Sequence, residues 1–236
     1  MPGTASVPRR DLEALKLDRL RALLRAILPH NRFYADKLAR VGDPAGITAL
    51  EELSDWPFTF KEELVAAAAD GLPGNLTWPV ERYVRYHQTS GTHGRPLPVL
   101  DTSADWEWWL ECWREILARG GVGRGDRVLV ASSFGPYAGF WSGFEGALAA
   151  GALAIPGGGL TTLGRLELAR RLRPTVILAT PSYALHLAEV AGEEKLDLRS
   201  LPVRLVIVAG EPGGSVPSVR RRLAEAWDAD VLDHAG

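Results

Sequence analysis

With one cysteine in 236 residues, Cys112, the chain can form no intrachain disulfide and no multi-cysteine metal site, which agrees with a reducing compartment. Cys112 lies among Trp109, Trp113 and Ile116, a setting that favours a packing role. No apolar run approaches the roughly 18 residues that span a bilayer, so no membrane span is expected. Residues 1–10 carry two arginines without the apolar stretch that a secretory signal needs behind them, and a cytoplasmic protein is expected. A formal net charge of -2 offers no general attraction for nucleic acid or acidic lipid, which leaves small-molecule chemistry as the expectation. The run Arg220-Arg221-Arg222 reads as a solvated helix face. Internal repeats and low-complexity linkers are absent too.

What is present is an ordinary globular composition, 46% apolar and 24% charged, in a chain long enough for one large domain or a domain with a small helical extension. Leu12, Leu15, Leu20, Leu23, Leu24, Ile27 and Leu28 recur close to helical spacing, so an amphipathic helix is expected over 11–28. Pro29 and Asn31 interrupt it, and a short helix over 33–41 would end at Gly42. Residues 48–53 and 59–69 each begin with a threonine followed by acids, which suits helix N-termini. The first 75 residues therefore read as a helical segment, and 76–236 as the rest of the fold.

Residues 83–88 and 97–101 read as strands joined by a glycine loop. A helix over 103–118 follows, with Trp106, Trp109, Trp113, Ile116 and Leu117 on one face. Short apolar runs at 128–131, 153–155, 176–179, 205–209 and 230–232 then alternate with helical stretches at 139–150, 162–172, 183–190 and 216–227. Strands without polar interruption, alternating with helices, predict an α/β fold with a mainly parallel sheet covered on both faces. Ligands of such sheets bind beyond the carboxyl ends of the strands. The segments there are 132–137, 156–160, 180–183 and 210–215.

The joining loop, Thr89-Ser90-Gly91-Thr92-His93-Gly94-Arg95, offers hydroxyl and imidazole side chains, two glycines that let backbone approach a ligand, and one guanidinium. These are the parts of a polyphosphate cradle. A Walker loop is excluded, because its Gly-Lys-Ser/Thr ending and strand-to-helix setting are both missing. On this chemistry alone, an ordinary strand-joining turn is an equal alternative.

Ser90-Gly91-Thr92-His93-Gly94-Arg95-Pro96 resembles the Ser-Gly-Thr-Thr-Gly-Lys-Pro signature of adenylate-forming enzymes. More narrowly, the chain resembles the phenylacetate-coenzyme A ligase family. Asn31-Arg32-Phe33-Tyr34 with Lys37-Leu38 is similar to that family's early helix, and Trp56-Pro57-Phe58-Thr59-Phe60-Lys61 to its Leu-Pro-Phe-Thr-Thr-Lys segment. Ala179-Thr180-Pro181-Ser182-Tyr183 and Ala209-Gly210-Glu211-Pro212 are similar to its Thr-Pro-Ser-Tyr and Gly-Glu-Pro strings. Five landmarks in the family's order carry more weight than any one of them.

The resemblance implies that a carboxylate attacks the α-phosphate of ATP, pyrophosphate leaves, and a coenzyme A thiol then displaces AMP, with Mg2+ assisting in the complete enzyme. Residues 89–95 would grip the phosphates, with Ser90, Thr92 and Arg95 stabilising the transition state. Gly210, Glu211, Pro212, Asp233 and His234 would bind adenine. Phe134, Tyr137, Phe140 and Ala209 would line the acid pocket, where aromatic groups suit an aryl acid; Trp141 reads equally as core. His93 departs from the family's second threonine, and Arg95 replaces lysine, turning a point charge into a planar one.

Asp233-His234-Ala235-Gly236 resembles the start of the family's next motif, with Ala235 at its aromatic position. The expected catalytic glutamate and lysine, and the small C-terminal domain, would lie beyond Gly236. The chain is therefore expected to be the N-terminal part of an ATP-dependent acid-thiol ligase, inactive by itself, with no metal-ligating residues of its own. The alternatives are an adenylating enzyme with another acyl acceptor, and a non-catalytic nucleotide-binding or dimerisation fragment. A homodimer is a further expectation.

Overall fold

The helical period between residues 11 and 28 is met by α1 (Arg9–Ile27). In the computed structural model, which describes residues 9–89, 91 and 94–234, this helix opens the first of two units, the one ending at Thr102. Leu17, Leu20 and Leu24 give α1 an apolar side that packs with Leu38, Ile47 and Trp56. A polar tie supplements that packing: Arg21 Nε donates to the Ile47 carbonyl at 2.7 Å.

Asn31 does more than interrupt α1. Its Oδ1 accepts the Tyr34 N–H at 3.0 Å, capping α2 (Arg32–Lys37). Its Nδ2 donates to the Asn75 carbonyl at 2.8 Å and to Thr77 Oγ1 at 3.0 Å, so both ends of a buried amide are satisfied. Of the two threonine-led segments, one becomes α3 (Lys61–Ala67) and the other only a 3-10 helix, Leu50–Asp55. Pro57 explains the difference, because it holds Trp56 in extended backbone (φ -85°, ψ 150°) before an α-helical run can develop. The acids still serve the helix starts. Glu52 Oε1 accepts the Thr48 and Ala49 N–H groups, both at 2.9 Å, and Glu63 Oε2 accepts that of Phe60 at 2.7 Å. The unit ends in an antiparallel ribbon, β1 (Tyr83–Gln88) with β2 (Pro98–Thr102), in which buried His87 and Asp101 approach to 3.6 Å.

The second unit, from Ser103, holds the regular alternation: α4 (Ser103–Arg119), β3 (Arg127–Val130), α5 (Ala138–Ala149), β4 (Leu153–Pro156), α6 (Thr162–Leu172), β5 (Val176–Ala179), α7 (Pro181–Glu193), β6 (Leu205–Val208), α8 (Pro217–Trp227) and β7 (Asp230–Asp233). The five strands are all parallel in the order β4-β3-β5-β6-β7. Every residue of β5 and β6 is buried, as apolar strands covered on both faces require.

Alternate residues feed two cores. Leu129, Ile177, Ala179, Val206 and Val208 pack with Leu166, Leu187, Leu223 and Trp227 of α6, α7 and α8. Val128, Val130, Val176, Leu178 and Ile207 pack with Trp113, Leu117 and Ala147 of α4 and α5. Close approach of α4 to α5 depends on Gly146, where an added Cβ would lie 2.5 Å from Trp113 Cβ. Trp113 Nε1 donates to Ser142 Oγ at 2.8 Å, which fixes the ring in that groove. The expected tryptophan face of α4 is buried at Trp106 and Trp113 and half-buried at Trp109; Cys112 is half-buried as well.

Candidate active site

The chain runs from β3 to β4 on one side, then crosses back to place β5 on the other side of β3. Connections leaving neighbouring strands in opposite directions open a crevice at their carboxyl ends. Here Phe134, Trp141, Phe144, Gly158 and Gly159 line an open cleft of about 560 Å³, together with Ser133, Gly135 and Pro156. The rings meet edge to face, Phe134 with Trp141 at 4.7 Å and with Phe144 at 5.6 Å between centroids. Trp141 Nε1 donates to the Gly135 carbonyl at 2.8 Å and so ties the β3–α5 loop to α5. Gly158 is pressed against Phe134, and a Cβ added there would stand 2.3 Å from the ring.

Of the residues expected in an acid pocket, Phe134 lines this cleft. The described lining does not include Tyr137, Phe140 or Ala209. Tyr137 is exposed at the N-terminus of α5, and Phe140 packs with the α4–α5 core. Ala209 continues the ladder, its N–H donating to the Ala179 carbonyl at 3.3 Å. Gly158 falls in the expected segment 156–160, whereas Phe144 has no signal of its own in the sequence. Phe144 stands three residues after Trp141, hence on the same face of a helix, but nothing local in the sequence says that the face borders a cleft.

Beyond β6, Gly210 takes a φ of 91° and Glu211 turns back toward α7. Glu211 Oε1 accepts the Ser182 N–H at 2.7 Å. A hydrogen bond from the Ser182 side chain lowers the Glu211 carboxyl below its ordinary value; burial opposes this, and the Ser182 N–H and Thr180 side chain reinforce it. Pro212 is exposed. Gly214 lies against Asp233, whose Cγ would be 2.6 Å from an added Cβ, so the loop after β6 and the end of β7 touch. His234 continues the ladder, its N–H reaching the Val208 carbonyl at 3.2 Å, while its ring meets Trp113 edge-on at 4.8 Å. Gly210, Glu211, Asp233 and His234 are thus gathered at one end of the sheet.

In the first unit, Thr89 closes the neck of the glycine loop. Its N–H donates to the Leu97 carbonyl at 3.1 Å and its Oγ1 accepts the Leu97 N–H at 3.0 Å, which leaves the hydroxyl proton for another acceptor. The Gly91 carbonyl accepts the Gly94 N–H at 3.0 Å. Gly91 has a φ of 68°, and an added Cβ would lie 3.0 Å from Gly94 O and from Pro96, so backbone and space both demand glycine. Arg95 is exposed. Ser90, Thr92 and His93 lie outside the described residues, as do Ala235 and Gly236.

The profile of the family described as "AMP-binding enzyme" matches residues 60–234. The chain belongs to the AMP-binding enzyme family. Among curated relatives of this AMP-binding chain, the phenylacetate-coenzyme A ligase of Pseudomonas putida is 33% identical over 235 residues, which cover 99% of the chain and 52% of the relative. That of Escherichia coli (strain K12) is 32% identical over 237 residues, with the same two shares. A solved 2-hydroxyisobutyryl-CoA ligase, in complex with 2-HIB-AMP and CoA in the thioesterification state, superimposes with a TM-score of 0.89 at 32% identity, covering 99% of this chain and 52% of that one. The chain spans about half the length of the curated relatives it matches.

For a member of the AMP-binding family, the described residues hold no group of three or more His, Cys, Asp or Glu able to bind a metal ion, and no helix long and apolar enough to cross a membrane. A Mg2+ ion held by one or two carboxylates and substrate phosphates needs no such cluster.

Proposed function

We propose that this chain supplies acid- and nucleotide-binding loops of an ATP-dependent, AMP-forming acid–coenzyme A ligase acting on an aryl acid. The observation that carries the reading is the cleft lined by Phe134, Trp141 and Phe144 at the carboxyl ends of β3 and β4. Flat aromatic walls favour a ring by edge and face packing. The family match and the phenylacetate-coenzyme A ligase relatives support the same reaction class.

In this reading the substrate carboxylate attacks the α-phosphate of ATP, and the bond to pyrophosphate breaks. The thiol of coenzyme A then attacks the acyl carbonyl, and AMP leaves. Extra negative charge develops on phosphate oxygens in the first step, and fixed donors stabilise it. The donors assigned to that task are the hydroxyls of Thr89, Ser90 and Thr92, the Arg95 guanidinium, and the loop's peptide N–H groups other than those of Thr89 and Gly94, which are bonded to the Leu97 and Gly91 carbonyls. Gly210, Glu211, Pro212, Asp233 and His234 form the adenine end. Mg2+ would add charge neutralisation at the phosphates.

A second reading, a small hydroxy acid as substrate, is favoured by the likeness to 2-hydroxyisobutyryl-CoA ligase. Identity does not choose between them, at 33% for the Pseudomonas putida relative and 32% for that structure. The aromatic lining supports the aryl acid, since a small polar acid leaves such walls uncovered.

The test supplies the full-length protein with ATP, Mg2+ and coenzyme A, and measures AMP and pyrophosphate with phenylacetate or 2-hydroxyisobutyrate. Faster release with phenylacetate is expected. Release with neither acid, and no hydroxamate when hydroxylamine replaces coenzyme A, would sink the proposal. Hydroxamate formation without coenzyme A consumption would move the acyl group to another acceptor.

A further inference from the structure

Two side chains from outside α7 hold its first turn, one from the loop after β6 and one from α6. Glu211 is one grip, through the Ser182 N–H. Arg165, only 6% exposed, is the other. Its Nε donates to the Gly157 carbonyl at 2.7 Å and its Nη1 donates to the Tyr183 hydroxyl, with the guanidinium 4.9 Å from the Tyr183 ring centroid. The same hydroxyl lies 3.2 Å from Thr162 Oγ1.

A helix start can be capped from its own chain, and α7 already is: Thr180 Oγ1 accepts the Tyr183 N–H at 3.3 Å. The acceptor for Ser182 comes instead from 29 residues away, so the bond orders the loop after β6 as well as the helix. That loop has little other freedom. Gly213 abuts Pro181, with 2.6 Å from an added Cβ to Pro181 Cβ, and Gly214 abuts Asp233. Arg165 likewise reaches beyond its helix, to the carbonyl of Gly157, whose neighbours Gly158 and Gly159 line the aromatic cleft.

We propose that residues 180–183 form a bracket in which Glu211 and Arg165 are positioning residues, fixing the loop at 210–212 and the loop at 157–159 against one helix terminus. The functional consequence rests on the reading that these loops receive adenine and the acid. Glu211 then acts on nucleotide through the loop's backbone, since its carboxylate is engaged by α7.

The test combines amide hydrogen exchange of the chain with binding of AMP and phenylacetate. Glu211→Ala should speed exchange at Ser182 and across 210–214, and weaken AMP about tenfold. Preference for AMP over IMP should stay as it was, because the carboxylate does not read the base. Glu211→Gln, whose amide oxygen still accepts the Ser182 N–H, should recover most of both effects. Tyr183→Phe keeps the ring but removes the hydroxyl that Arg165 holds. It should loosen 157–159 and weaken phenylacetate about tenfold, with AMP affinity held within about twofold. Unchanged exchange at both loops would overturn the bracket, and loss of the AMP preference in Glu211→Ala would overturn the positioning role. If the unaltered chain binds neither ligand, the functional reading fails, while the exchange data still decide whether the bracket exists.

Discussion

At the amino end of the five-stranded sheet, the residue just before each of three strands joins one polar network. Asp126, before β3, accepts from Thr175 Oγ1 at 2.7 Å, from the Gly123 N–H at 3.0 Å and from Arg204 Nη2 at 2.9 Å. Thr175 precedes β5 and Arg204 precedes β6; Arg204 also donates to the carbonyls of Gly120 and Gly121 at 2.9 and 2.8 Å. At the carboxyl end, the segments that follow the strands carry glycines and aromatic rings around an open cleft. One end joins side chains of three strand starts in a polar network, and the other keeps an open cleft as well as the Glu211 and Arg165 contacts. On the proposed reading, stability and recognition fall at opposite ends of the same strands, so changes at one end should leave the property of the other intact.

The largest expected effect is at the amino end. Asp126→Ala leaves a threonine hydroxyl and a guanidinium without their acceptor. It should lower stability by about 2 kcal/mol, below the cost of a fully buried pair because the Arg204 side chain is 45% exposed. Urea unfolding measures this, and AMP affinity of the folded chain should be unchanged; a parallel loss of affinity would break the division.

Trp141→Ala probes the opposite end. It removes one wall of the cleft and the donor to Gly135, so phenylacetate should bind about tenfold more weakly in a calorimetric titration. Stability should fall by less than about 1 kcal/mol, because Trp141 is 38% exposed. A larger stability loss would make this residue part of the core rather than of the site.

Acidification gives the smallest effect and sharpens the contrast. Burial raises the Asp126 carboxyl, but hydrogen bonds from Arg204, Thr175 and the Gly123 N–H outweigh it, and the group sits below its ordinary value. A carboxyl depressed in the folded state stabilises fully above its unfolded pKa of about 3.9, and that contribution is lost as pH falls through the folded pKa. Stability measured from pH 5 to pH 2 should therefore decline less steeply in Asp126→Asn than in the unaltered chain, by less than about 1 kcal/mol after solvent screening. An equal slope in both would remove Asp126 from the acid response.

Much of the fold was legible because its signals are local. Residues 176–179 read as a strand from an unbroken apolar run, and 162–172 as a helix from its period, and both elements have those bounds. The glycine loop was placed between two strands for the same reason, and β1 and β2 flank it. Residues 48–53 carry the acids of a helix start, but with Pro57 holding Trp56 extended only the 3-10 helix Leu50–Asp55 forms. Phe134, expected in an acid pocket from the family resemblance, lines the cleft beyond β3 and β4. The roles of Phe144, Gly158 and Arg165 were hidden, since each depends on a neighbour from another strand–helix connection.

The alternation of strands and helices, the apolar faces that drive them together and the family resemblance of the short ordered motifs are all written in the order of residues. These follow from spacing and residue type along the chain. Folding alone brings Asp126 to Arg204, turns Glu211 to Ser182 and buries Arg165 under Tyr183. Those pairings join residues 78, 29 and 18 positions apart, and no local pattern encodes which strand order brings them within a hydrogen bond.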